Sequence, residues 1–88
     1  MDKYYETALI LSETELRGLR VDIIENYKDD YPTREVSLEE YVNLVFEDLL
    51  SQYGVELLVV FKDGDAHFIY NGEDFFNILE IDIEDLLD

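Results

Sequence analysis

The chain has no cysteine and one histidine, His67, among its 88 residues. A disulfide framework and a thiolate metal site are therefore excluded, and a lone imidazole cannot hold zinc. One proline and four glycines leave few places for long irregular loops. No apolar run approaches the ~20 residues of a membrane span. The first dozen residues carry Asp2, Lys3 and Glu6 ahead of an apolar run, without a basic leader and small-residue cleavage site. A soluble, cytoplasmic protein is the expectation. Positive charge is the greatest deficit: six Lys and Arg face twenty-three Asp and Glu, a net charge of −17.

Hydrophobic side chain is not lacking. At 48% hydrophobic residues, with seven Tyr and five Phe, the chain holds enough apolar material for one core, which argues against disorder. Its length fits a single domain spanning residues 1–88.

Lys3 to Leu11 reads as a strand, rich in aromatic and aliphatic residues. Ser12 to Glu15 is an S-x-x-E capping box. It predicts a helix from Glu13 to Tyr27, with Leu16, Leu19, Ile23, Ile24 and Tyr27 along one stripe. Pro32 breaks the chain. A second box, Ser37 to Glu40, predicts a helix to Tyr53 with Gly54 past its end. Its buried stripe is Leu38, Tyr41, Val42, Val45, Leu49 and Tyr53, widened by Phe46 and Leu50.

Val55 to Lys62 reads as a central strand, turning at Asp63-Gly64-Asp65 into a partner strand from Ala66 to Tyr70. Asn71-Gly72 fits another hairpin turn or the stop before a helix. The remainder supports both periodicities: Phe75, Phe76, Leu79, Ile83, Leu86 and Leu87 suit a helix, while Ile81 and Ile83 alternating with acids suit a strand. The reading is a short helix from Glu73 to Leu79, then an extended piece. The order β-α-α-β-β with a mixed end defines an α+β fold, with helices on one face of a small antiparallel sheet.

Charge is segregated along the chain. Residues 1–34 hold eight acids and five bases, whereas residues 35–88 hold fifteen acids and Lys62 alone. Glu39 and Glu40 lie in a first helical turn, where the helix dipole favours them; Glu47 and Asp48 have no such reason. The candidate partner-binding carboxylates are Glu40, Glu47, Asp48, Asp63, Asp65, Glu73, Asp74, Glu80, Asp82, Glu84 and Asp85. Solubility alone is met by a net charge of about 2–8 in magnitude, so the surplus points to a basic partner and away from nucleic acid or anionic membrane.

A folded surface of about 5,000 Å² would carry roughly one net charge per 300 Å² if spread evenly. Duplex DNA, a rod about 20 Å wide, carries roughly one per 100 Å². Segregation onto one half brings the protein within a factor of about two of that density.

Other chemistries find little support. Acids are so abundant that no carboxylate pair stands out for acid–base work. No Ser/His/Asp motif or phosphate-binding glycine loop is present, and the sequence reads as a non-enzyme without a cofactor. Asp63 fails as the start of a calcium loop, since the fifth and sixth positions are His67 and Phe68. His67 reads as a structural strand residue. Tyr5, Tyr31 and Tyr70 are the tyrosines expected at the surface.

In size, absence of cysteine and surplus acid, the chain resembles the small phage-encoded DNA-mimic inhibitors of the anti-CRISPR and anti-restriction type. The resemblance is one of class and composition, and no functional residue carries over with it. It implies an inhibitor of a basic nucleic-acid-binding protein, such as a CRISPR effector or restriction enzyme, acting in the host cytoplasm. An acidic antitoxin, immunity protein or adaptor fits the same charge. An acyl carrier fits poorly because Ser12, Ser37 and Ser51 lack an Asp-Ser-Leu context. A generally acidic, halophile-like proteome fits poorly with only two alanines.

Overall fold

The computed structural model describes residues 8–33 and 35–82. Along the chain run β1 (Ala8–Leu11), α1 (Glu13–Asp30), α2 (Leu38–Tyr53), β2 (Leu57–Lys62), β3 (Asp65–Ile69) and α3 (Gly72–Leu79). This is the expected α+β order. The Lys3–Thr7 part of the first strand, and most of the extended piece after Leu79, fall outside the described residues.

Both capping boxes form. Ser12 Oγ accepts from the Glu15 amide at 3.1 Å while Glu15 Oε1 accepts from the Ser12 amide at 2.8 Å. Ser37 and Glu40 repeat the arrangement at 3.1 and 3.2 Å. Helix α1 continues to Asp30, three residues past the expected end, because no breaker precedes Tyr31 and Pro32. Asn71-Gly72 starts a helix rather than a hairpin: Asn71 Oδ1 accepts from the Asp74 amide at 2.8 Å.

The sheet order is β1-β2-β3, with β2 central as expected. The fully antiparallel sheet expected from sequence is corrected here. β2 and β3 pair antiparallel, but β1 and β2 pair parallel. Residues 12–56, with two helices, form the crossover between β1 and β2, and parallel neighbours require such a long connection. Periodicity in the strands does not report their direction. The β2–β3 turn has positive φ at both Asp63 (55°) and Gly64 (85°), the geometry of a type I′ hairpin.

Register sorts the strand side chains by face. Leu9, Leu58 and Ile69 align on one face, with Leu11 and Val60 beside them. They meet Leu16 and Ile23 of α1, Val42 and Phe46 of α2, and Phe75 and Leu79 of α3 in one core. Phe46, expected only to widen the α2 stripe, is central to it. Tyr53, expected inside, is exposed at the helix end.

Tyr31, expected at the surface, is instead half-buried in a trio with Tyr27 and Tyr41, ring centroids 5.5 to 6.0 Å apart. Burial raises the Tyr41 hydroxyl pKa above its ordinary value, with the Asp30 charge and Tyr31 adding to the shift. Tyr27 Oη donates to the Val36 carbonyl at 2.5 Å, fixing the chain just ahead of α2.

Candidate functional site

Helix α2 presents Glu40, Asn43, Leu44 and Glu47 at helical spacings of three and four, facing away from buried Val42 and Phe46. All four are exposed. The cap fixes Glu40 in place, since its Oε1 accepts from both the amide and the hydroxyl of Ser37 at 3.2 Å. Glu47 and Asp48 continue along the helix into solvent.

The start of α3 lies against this helix because Gly72 has no side chain. A Cβ there would sit 1.9 Å from Asn43 Oδ1 and 3.0 Å from Asn43 Cα. The close approach brings Glu73 beside Glu39 and Glu40 in an open groove of about 580 Å³, with Val36, Leu44 and Phe76 supplying its apolar lining. Asp74 follows Glu73 in the first turn of α3 and is exposed. Neither α2 nor α3 contains a lysine or arginine. The carboxylates do not converge on a point: among the described residues no group of three or more His, Asp or Glu could hold a metal ion.

Asp63, Glu80 and Asp82 belong to a different neighbourhood. With Glu13, Arg17, Arg20 and Lys62 they line a cavity of about 500 Å³. Arg17 pairs with Glu13 at 3.0 Å, and Lys62 Nζ lies 2.7 Å from Glu80 Oε2. The Asp63 amide donates to Glu13 at 3.4 Å. Here acid and base are mixed. Asp65 sits nearby, opposite Lys62 in the hairpin register. Glu84 and Asp85 lie outside the described residues.

The structure thus brings Glu40 and Glu73 together, extends them with Glu47, Asp48 and Asp74, and sets Asp63, Asp65, Glu80 and Asp82 at the mixed-charge end. Sequence reasoning missed the place of Glu39 in the groove, because its helix-dipole role was explanation enough. It also missed Leu44 and Phe76 as lining.

The hydrogen bond and charge of Lys62, aided by Arg20, hold the Glu80 carboxyl below its ordinary range. A depressed folded value means that this pair adds stability above the pH where unfolded Glu80 ionises. That contribution is lost as pH falls through the folded value. Lys62→Met should move the Glu80 titration, followed by carboxyl NMR, back toward the ordinary glutamate range. An unmoved titration would contradict the pairing.

No family model matches the chain, and no curated protein or solved structure matches it either. Among the described residues no helix is long and apolar enough to cross a membrane.

Proposed function

We propose that the protein is a non-enzymatic acidic inhibitor that seats its α2–α3 side on the nucleic-acid-binding surface of a basic partner. Its carboxylates occupy positions that phosphates would take, and the complex forms in the cytoplasm without cofactor, nucleic acid or membrane. The channel of a CRISPR effector or the DNA cleft of a restriction enzyme has the required positive lining.

One observation carries this reading. Two helices packed on each other expose Glu39, Glu40, Glu47, Asp48, Glu73 and Asp74 with no base on either, while Arg17, Arg20 and Lys62 gather around a separate cavity. The accessible surface, 6003 Å², makes the point quantitative. Even spreading of the net charge gives roughly one per 350 Å², several times too dilute against roughly one per 100 Å² on duplex DNA. Concentration on one side narrows that gap.

The apolar lining of the groove, from Val36, Leu44 and Phe76, favours a second reading: an immunity- or adaptor-type protein clasping a basic, partly apolar segment.

Competition decides between them. The immobilised chain is used at low salt to capture its partner from a host lysate, and the purified partner is titrated with duplex DNA or RNA. The mimic reading expects mutually exclusive binding and an affinity that falls steeply with salt. A partner that holds chain and nucleic acid together, or binds no nucleic acid, removes the mimic reading and leaves the second.

A further inference from the structure

The sheet has a second face, and no described helix covers it. Register places Ala8 and Ile10 of β1, Leu57, Val59 and Phe61 of β2, and Ala66 and Phe68 of β3 on the side away from the core. Tyr70 continues the alternation one step beyond β3. Ile10 is 61% exposed, Phe61 42%, Phe68 60% and Tyr70 66%. Not one of these outward positions is charged.

A sheet with one wet face alternates apolar and polar side chains, whereas strands covered on both faces read as continuous apolar runs. Leu57 to Phe61, LLVVF, is such a run, yet the helices cover only one of its faces. The outward side chains have the composition of a buried layer.

We propose that a second copy of this chain covers this face, the two sheets packing face to face about 10 Å apart in a symmetric dimer. The area argues for that occupant, and the charge pattern permits it. Two chains of net charge −17 repel through every carboxylate-bearing surface, and a face whose described outward positions carry no charge is where they can meet with least repulsion. Face-to-face packing also puts both α2–α3 sides outward, as far apart as the fold allows. A basic partner, by contrast, gains no ion pair from this face.

The area is sufficient. Aromatic side chains bury 150–250 Å² each, so the exposed parts of Phe61, Phe68 and Tyr70 amount to roughly 350 Å². Ile10 adds roughly 100 Å², and exposed Ala66 with half-buried Leu57 and Val59 bring the patch to about 500 Å² per copy, so a dimer would remove about 1,000 Å² in total, the lower bound for a specific interface. The proposal is independent of what the acidic side binds, and the two respond oppositely to salt. Screening weakens attraction to a basic partner and strengthens association between like-charged copies.

Sedimentation velocity on the full chain, from about 1 to about 200 µM and at about 0.05 and 0.5 M salt, tests this. The expected result is a monomer–dimer equilibrium whose dissociation constant falls as salt rises. Phe68→Glu should raise that constant at least about tenfold while leaving the circular dichroism spectrum and urea midpoint near wild type. Tyr70→Ser, which disturbs no strand pairing, should weaken the dimer in the same direction. A wild-type chain that stays monomeric throughout overturns the proposal, as does a dimer indifferent to both substitutions.

Discussion

Phe75→Ala should cost about 3–5 kcal/mol. Phe75 is fully buried, and its ring centroid lies 5.7 Å from that of Phe46, so the aromatic pair joins α3 to α2 at the centre of the core. Truncation removes the transfer free energy of the ring and leaves a cavity beneath a helix of only eight residues. A helix that short has little stability apart from its packing. A domain of this size has about 4–13 kcal/mol in all, so the variant should be substantially destabilised. Urea unfolding followed by circular dichroism measures the change. A loss below about 1 kcal/mol would show that α3 is not seated on α2 as described. Where the variant still folds, it should also bind the proposed basic partner more weakly, because Glu73 and Asp74 are positioned by this packing.

The second large effect concerns binding. Glu47→Lys with Asp48→Lys should weaken the partner complex by about 10- to 100-fold, since each reversal removes an attraction and adds a repulsion. Glu13→Lys with Glu80→Lys changes net charge by the same amount at the mixed-charge end, and should cost less than about threefold. The matched net charge equalises long-range steering, so the difference reports contact. Titration calorimetry or surface plasmon resonance at fixed ionic strength supplies both numbers. Equal losses would show that the two ends contribute alike and that the α2–α3 side has no special role. Glu13 and Glu80 pair with Arg17 and Lys62, so the urea midpoint of each variant is measured beside its binding; Glu40 is left unchanged because its carboxylate closes the Ser37 cap.

Local chemistry was legible in the sequence where a few neighbouring residues decide the structure. Ser12 with Glu15 and Ser37 with Glu40 announce two helix starts, Gly54 one helix end, and Asp63-Gly64 a tight turn; each is resolved within four or five residues. What lies between distant residues was not legible. The β1–β2 direction depends on how two helices cross the sheet, which no strand pattern records. Tyr31 and Tyr53 exchange their expected places because burial at a helix end depends on what faces it: Tyr31 meets Tyr27 and Tyr41, while Tyr53 meets solvent.

The candidate site divides in the same way. That residues 35–88 are acid-rich is plain from composition. That Asp63, Glu80 and Asp82 share a cavity with Arg17 and Arg20 is a tertiary fact, since those arginines lie more than forty residues away. The outward sheet face went unrecognised because LLVVF looks the same whether both of its faces are covered or only one.

Negative potential concentrated over the α2–α3 side, on which the proposed inhibition depends, is measurable without any partner. Amide relaxation enhancement by a cationic nitroxide, normalised to a neutral one of similar size, maps it residue by residue. Amides of Glu40, Leu44, Glu47 and Glu73 should be broadened several times more than those of Arg17, Arg20 and Asp63, and about 0.5 M salt should erase the difference. Equal enhancement at the two ends in low salt would contradict the central claim.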